Sequence, residues 1–447
     1  MGLNQLREQI SLHDLGKTTY SLNNTGTGLL DCTDLYEQNC LHCSKSNVAG
    51  KFSGELIYYF PNNPSELHQD RLMIQETQSK ALHQPTAKPA IAIKRVGYVD
   101  IAKGIGIILV VMAHNDFALI SPFAHKLIYS FHMPMFFFIS GMFFKPDMPF
   151  WSFIRQRFHR VLKPFFVMLL LIYFASLSFS KVSFVMASRR LLKAMYASGQ
   201  YLDWVQLWFL PHLFVVSLFA YLIIRVLRHQ WLFKVRWLML ITVYIVGVLS
   251  INVFSPFEFN LLGKELNLYG LPFSIDLVFV SGFFFILAYE LNQHPYASSL
   301  ESHWVLLISG VLLVFLVWYF PYKIDFNIRQ FDSLPINTLE ALLGILFILA
   351  ISRQLERIGV LSSAFSYIGQ SSLVILIFQV PIQDYWGQKL LAVTNNLVFS
   401  YWVSFLAGVI GPIIINALFI RPNSIVREWF GQTAPFETKQ SAVSVFE

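Results

Sequence analysis

Charged residues are scarce in this chain. Asp, Glu, Lys and Arg make up only 13% of its 447 residues, whereas 55% are hydrophobic and 16% aromatic. A soluble domain carries about 25% charged residues. A water-soluble fold has too little interior to bury so much apolar surface, so the composition excludes an ordinary soluble protein and indicates an integral membrane protein.

Cysteine is almost absent, and its three copies, Cys32, Cys40 and Cys43, lie in the polar N-terminal stretch. Three cysteines imply no disulfide framework, and this fits a cytosolic N-terminus. A metal site at Cys40-Leu41-His42-Cys43 is an alternative to free thiols, but a second ligand pair is missing and we expect no metal. The first 30 residues contain no apolar run, so we expect no cleavable signal peptide.

The chain is basic, with a net charge of +7 and a pI near 9.1. In a soluble protein this charge would indicate a nucleic-acid partner. Here Lys and Arg gather in the loops beside apolar blocks, which is the distribution that a membrane protein requires. We therefore expect the lipid bilayer as a partner and no nucleic acid.

Three regions follow along the chain: a polar and flexible N-terminal extension (1–94), a transmembrane domain (95–420) and a C-terminal tail (421–447). In the middle region the apolar residues form blocks of roughly 17 to 25 residues, the length that crosses a bilayer. The ten blocks are Ile101–Leu119, Leu127–Phe144, Leu162–Ser180, Val205–Leu227, Val235–Phe254, Leu271–Leu291, Trp304–Phe320, Leu334–Ile351, Tyr367–Ile382 and Tyr401–Ile420. The predicted fold is an all-α integral membrane protein with about ten transmembrane helices.

Basic residues in the short loops orient these helices. With the N-terminus in the cytosol, the inner loops and the tail hold fourteen Lys and Arg residues and the outer loops nine. The positive-inside rule therefore predicts that both termini are cytosolic. The basic loop from Lys181 to Lys193 disagrees with this orientation.

Lys103 and His114 are the clearest polar pair inside the membrane. They lie eleven residues apart, which leaves them about 20° apart around a helix and about 16 Å apart along it. They are therefore predicted to face one pocket at different depths. A packed histidine bonded to a nearby carbonyl is the alternative for His114, and a lysine reaching the membrane surface is the alternative for Lys103.

Arg157 and Arg160 follow the second apolar block in a basic, amphipathic stretch. Three residues apart on an α-helix, they share a face and form a donor array suited to phosphates. The alternative is an ordinary positive-inside loop lying on lipid headgroups.

Other polar side chains are weaker candidates for acceptor binding or for support of the site. Asp116 is predicted at the outer mouth, His132 near the outer end of the second block, and Ser140 at a close helix contact. Asp276 and Glu340 are acids within the sixth and eighth blocks. They either position a catalytic or substrate group or pair with an arginine.

The chain resembles the acyltransferase-3 superfamily, in particular its fucose 4-O-acetylase branch, from about Arg95 to Ile420. The similar segments are Arg95–Ile107 running to His114, Phe136–Gly141 as FFxxSG, Arg157–Arg160 as RxxR, Leu207–Pro211 and Ile368–Leu373. Lys103 replaces the arginine found in much of the superfamily, and Gln379 stands where many relatives have a histidine. The N-terminal extension has no counterpart in the family.

The resemblance implies transfer of an acyl group, usually acetyl from cytosolic acetyl-CoA, to a hydroxyl of a glycan or lipid-linked sugar. It implies that Arg157 and Arg160 bind the CoA phosphates and that His114 acts at the thioester, and we expect Lys103 to assist donor binding. The expected protein is an O-acetyltransferase of the bacterial cytoplasmic (inner) membrane that modifies a surface polysaccharide, with lipopolysaccharide O-antigen as the best guess.

Two other classes of function are compatible with a polytopic bundle that contains buried charges. One is a transporter or flippase of a glycan or lipid-linked substrate, which internal inverted repeats would favour. No repeat of the Lys103–His114 or RxxR pattern occurs in the second half of the chain. The other is a non-catalytic membrane scaffold, in which His114 is replaceable. The sequence leaves the oligomeric state open.

Overall fold

The computed structural model describes residues 97–114, 117–179, 182–228, 234–254, 257–261, 264–293 and 300–432. These residues form an all-α membrane protein, as predicted. The α-helices are α1 (Gly97–Ala113), α2 (Phe117–Ile120), α3 (Pro122–Tyr129), α4 (His132–Met142), α5 (Phe150–Arg157), α6 (Lys163–Phe179), α7 (Phe184–Ala194), α8 (Phe209–Leu227), α9 (Arg236–Ser250), α10 (Val278–Leu291), α11 (His303–Tyr319), α12 (Leu334–Glu356), α13 (Gly359–Gln370), α14 (Ser372–Thr394), α15 (Leu397–Ile415) and α16 (Ser424–Trp429).

Shorter elements join these helices. Two antiparallel hairpins lie in connections, one of β1 (Phe257–Leu261) and β2 (Lys264–Leu268), the other of β3 (Ile324–Asp325) and β4 (Gln330–Phe331). Short 3₁₀ segments occupy Gly199–Tyr201, Val205–Trp208, Ile251–Phe254 and Pro272–Leu277, the last of which is interrupted by positive φ at Phe273 and Ser274. Turns of π-helix occupy Phe158–Leu162 and Asn416–Ile420.

Within the described residues, five helical segments are long and apolar enough to cross a membrane. They are Phe150–Phe179, Val205–Leu227, Pro272–Leu291, Leu334–Glu356 and Leu397–Ile420. The bent pair of α13 and α14 adds one more candidate, and α9 and α11 are shorter apolar helices. A multi-pass membrane protein follows, while the number of ten spans and the side of each terminus stay predictions.

Two predicted blocks are not straight helices. The second block, Leu127–Phe144, is divided between α3 and α4, which are separated at Ser130 and Phe131. The ninth block, Tyr367–Ile382, contains a bend of 74° between α13 and α14. Apolar composition predicted that these residues are buried in the membrane, but it does not reveal where a helix breaks.

A π-helical turn, Phe158–Leu162, joins α5 to α6. Pro164 explains it, because a proline lacks an N–H and its ring collides with the carbonyl four residues earlier in an α-helix, here that of Arg160. The Lys163 amide instead donates to the Phe158 carbonyl, five residues back, which widens the turn. The basic stretch and the third predicted span are therefore one continuous helical segment.

Glycines bring the helices that carry the polar residues into close contact. A Cβ on Gly104 of α1 would collide with the Phe365 carbonyl of α13, and one on Gly369 of α13 would collide with the Asp100 carbonyl of α1. Gly141 of α4 likewise packs on a backbone carbonyl of α10. These small residues allow backbone-to-backbone packing, which favours helix association in membranes, and they bring α1 against α13 and α4 against α10.

A fully buried ion pair ties the start of α10 to the loop before α12. Arg329 donates from Nε to Asp276 Oδ2 over 2.9 Å, and both side chains have zero exposure. Arg329 also donates to Ser274 Oγ at 3.1 Å and to the Asn327 carbonyl at 2.9 Å. Gly270, with φ of +76°, leaves the space that the guanidinium fills. The alternative that Asp276 pairs with an arginine is therefore the one observed.

Replacing Asp276 with asparagine is expected to lower the free energy of unfolding by about 3–5 kcal/mol, because it leaves the Arg329 charge buried without a counter-charge. Unfolding of the purified protein in detergent measures this loss. The control is Glu301→Gln, which removes the half-exposed ion pair with Arg357 and should cost less than about 1 kcal/mol. Equal losses in the two variants would contradict a structural role for the buried pair.

Candidate functional site

A cavity of about 240 Å³ lies among α1, α4, α8, α14 and the π-helical turn. Its wall is largely apolar, with side chains such as Ile107, Phe136 and Leu213. Lys103 and His114 both line it, as their spacing predicts. The cavity therefore follows about 16 Å of the length of α1.

Basic groups lie at one end of the cavity. The Lys103 ammonium is 3.3 Å from the Asp100 carboxylate, one turn earlier on α1, and 5.8 Å from the centre of the Phe143 ring. Arg160 reaches the cavity from the π-helical turn and is exposed. Ser372, at the start of α14, lines this end because α13 crosses α1 beside it. This end combines two positively charged side chains with an opening at the protein surface.

Two histidines, His114 and His132, line the other end. Nδ1 of His114 lies 2.6 Å from the Val110 carbonyl, and Nδ1 of His132 lies 3.0 Å from the Ile128 carbonyl. A carbonyl only accepts, so each Nδ1 carries a proton, and in the neutral form each ring has a lone pair on Nε2. The hydrogen bond to a carbonyl that is expected of a packed histidine is thus present. The same hydrogen bond sets the tautomer in which Nε2 can accept a proton.

Aromatic packing orients the His132 ring. Tyr129 lies between two histidines, stacked on His125 with ring centres 4.2 Å apart and edge-on to His132 at 4.8 Å. His125 and Tyr129 are not among the residues that the sequence predicts for the site. Their position on α3, separated from α4 by a break within the second predicted block, left no periodic signal that would have joined them to His132.

Ser140 and Gln206 supply further polar groups to the cavity wall. The Ser140 hydroxyl donates to the Phe136 carbonyl over 2.8 Å, so its oxygen remains as an acceptor. Gln206 donates from Nε2 to the Ile377 carbonyl over 3.0 Å, and its buried Oε1 has no hydrogen-bond partner among the described residues. Gln206 was missed as well. Its proximity in sequence to the Leu207–Pro211 stretch was the available signal.

Arg157 does not line the cavity. Its guanidinium lies 5.5 Å from the Phe144 ring and 5.6 Å from the Phe153 ring, and its Nε is buried with no hydrogen-bond partner in the described part of the chain. An α-helix would put Arg157 and Arg160 on one face. The π-helical turn inserts an extra residue and rotates Arg160 away from Arg157, so that only Arg160 reaches the cavity.

Asp276 and Glu340 lie apart from the cavity lining. Asp276 is held by Arg329, as described above. Glu340 is fully buried and accepts from Asn337 Nδ2 at 2.9 Å, so its partner is an amide rather than an arginine. Asp116 lies outside the described residues, as do the three cysteines and the whole predicted N-terminal extension.

Gln379, where the resemblance leads one to expect a histidine, is fully buried on α14. Neither its amide nitrogen nor its oxygen has a hydrogen-bond partner within the described ranges. Leaving such a group unpaired costs about 1–3 kcal/mol.

Among the described residues, no group of three or more His, Cys, Asp or Glu side chains is arranged to hold a metal ion.

Comparison with known proteins identifies a family. A family model described as an acyltransferase domain, Acyl_transf_3, matches residues 96–421. No curated protein and no solved structure matches the chain. The matched region contains all the residues that line the cavity.

Proposed function

The chain belongs to the acyltransferase-3 family, and from this premise we propose that it is an acetyl-CoA-dependent O-acetyltransferase of the bacterial cytoplasmic membrane. The observation that carries the proposal is the shape and polarity of one cavity. Lys103 and Arg160 lie at its basic end, and His114, about 16 Å along α1 from Lys103, lies at the other end with its Nδ1 bonded to the Val110 carbonyl.

The size of the cavity supports a donor that enters only in part. Pockets that enclose a drug-sized ligand measure about 300–1,000 Å³, whereas this cavity holds about 240 Å³. On this volume we expect only the slim acyl-pantetheine arm to enter and the nucleotide of CoA to remain outside. The phosphates would stay at the basic end, where Arg160 offers a planar array of donors and Lys103 a point charge.

His114 would act as the general base. Its neutral Nε2 takes the proton of the acceptor hydroxyl while the hydroxyl oxygen attacks the thioester carbonyl carbon. The carbon–sulfur bond then breaks, and the CoA sulfur leaves and takes the proton back from His114 as a thiol. In the competing route, the acetyl group passes first to His114 and then to the acceptor. Both routes need the tautomer that the Val110 carbonyl selects.

His132 would support the acceptor. It lines the same cavity as His114, and its Nδ1 bond to the Ile128 carbonyl leaves Nε2 for a ligand, so it offers a second polar contact for a hydroxyl-rich sugar. We propose a bacterial surface glycan as the acceptor, with lipopolysaccharide O-antigen as the specific case, by analogy with the family alone. Ten spans with cytosolic termini would leave the basic end open to cytosolic acetyl-CoA.

Replacing His114 with alanine is expected to abolish glycan acetylation and to leave expression and acetyl-CoA binding nearly unchanged, because only the proton acceptor is lost. Mass spectrometry of surface glycans measures the acetylation. His303→Ala is the matched control, since His303 is exposed at the start of α11, and it should retain full activity. Substantial acetylation by a well-expressed His114→Ala protein would rule out the catalytic assignment. A trapped acetyl-histidine in the native protein would select the covalent route.

Arg160→Ala is expected to weaken CoA binding by about tenfold or more, because a charge-assisted hydrogen bond contributes about 1.5–3 kcal/mol. Arg157→Ala should have a smaller effect, since Arg157 does not line the cavity. Arg160→Lys should recover part of the affinity, because lysine supplies a positive charge but not the planar array of donors. Titration calorimetry with CoA in detergent measures these differences. Unchanged affinity in a folded Arg157→Ala, Arg160→Ala double variant would assign both arginines to the ordinary positive-inside role.

A further inference from the structure

The chain after α15 folds back onto the π-helical turn that carries Arg160. Gly431, two residues after α16, has φ of +63°. A Cβ on this residue would lie 2.7 Å from the His159 carbonyl oxygen and 2.8 Å from the Arg160 Cα. These distances are shorter than van der Waals contact allows. Glycine alone therefore fits between the C-terminal segment and the backbone of the turn.

Two contacts hold the C-terminal segment against α6 and α14. Glu428 of α16 accepts from Lys163 Nζ over 2.9 Å, and this contact lowers the pKa of the Glu428 carboxyl. Phe430 is buried and its ring lies 6.0 Å from that of Phe378. The segment thus packs on α14 and on the start of α6, directly after the π-helical turn.

The end of the segment is tied to the bend between α13 and α14. Gln432 donates from Nε2 to Asn416 Oδ1 at 3.1 Å, and Asn416 donates from Nδ2 to Ser371 Oγ at 3.0 Å. Asn416 and Ser371 are fully buried. Ser371 immediately precedes Ser372, which lines the cavity. One short segment therefore contacts the turn that carries Arg160 and, through Asn416, the residue next to Ser372.

We propose that residues 424–432 are a positioning element for donor binding, with Gly431 as the contact that keeps the π-helical turn in the form that places Arg160 at the cavity. This inference rests on the proposed role of Arg160 in holding the CoA phosphates. The segment lies beyond the region that the family model matches, residues 96–421. Gly431 is a positioning residue and not a catalytic one, since it acts through Arg160.

Gly431→Ala tests the proposal through the CoA affinity of the full-length protein in detergent. The methyl group displaces the turn, so CoA binding should weaken by about tenfold, approaching the loss in Arg160→Ala. Gly359→Ala is the matched control, because no described atom lies within 4 Å of a Cβ at Gly359, and it should bind CoA like the wild type. Gly431→Asn separates contact from backbone strain, since asparagine tolerates positive φ but still carries a Cβ. It should weaken binding as alanine does.

A double-mutant cycle shows whether Gly431 acts through Arg160. In an Arg160→Ala background, Gly431→Ala should cause less than a twofold further loss, whereas a merely structural defect would add its full effect. Additive losses would overturn the inference. So would wild-type affinity in Gly431→Ala, or recovery in Gly431→Asn, while the donor site itself would stand.

The failure of the proposed function has a different signature. If the wild-type protein does not bind CoA, or if Arg160→Ala binds it unchanged, the donor site is wrong and the inference built on it falls too. Loss of CoA binding in Gly431→Ala with wild-type binding in Gly359→Ala, together with non-additivity in the cycle, supports both.

Discussion

One missing amide hydrogen, at Pro164, determines the geometry of the basic end of the cavity. Because proline cannot close the α-helical bond to Arg160, the chain forms a π-helical turn there. The extra residue in that turn separates Arg157, which packs beside Phe144 and Phe153, from Arg160, which lines the cavity. The widened turn also receives the C-terminal segment, whose Gly431 fits against its backbone.

The polarity of the cavity follows from the cost of burying charge. The positively charged side chains, Lys103 and Arg160, are not fully buried. The far end carries imidazoles, which accept a proton in their neutral form. The backbone carbonyls of Val110 and Ile128 set the tautomers of the two histidines without placing a charged partner in the membrane. This arrangement suits a reaction in which an anionic donor stays at the surface and only its neutral reactive end enters the membrane.

Helical periodicity made part of this site predictable. The spacing of Lys103 and His114 placed them in one pocket because α1 is a regular helix, and the apolar blocks identified the membrane fold. Regular α-helical spacing also predicted that Arg157 and Arg160 share one face. That prediction failed because a π-helical turn, caused by Pro164 downstream, replaces the α-helix there. The Asp276–Arg329 ion pair and the hydrogen bond from Gln206 to Ile377 join residues that are distant in sequence, so no local pattern predicted them. Whether each block crosses the membrane is a matter of bilayer position, which helix length alone does not determine.

The most direct test of the account is an experimental structure of the protein with CoA bound. We expect the phosphates within about 3 Å of the Arg160 guanidinium, the pantetheine arm in the cavity along α1, and the sulfur at the end lined by His114. A CoA molecule bound elsewhere, with Arg160 turned to lipid and the cavity empty, would contradict the central claim that this cavity is the acyl-donor site.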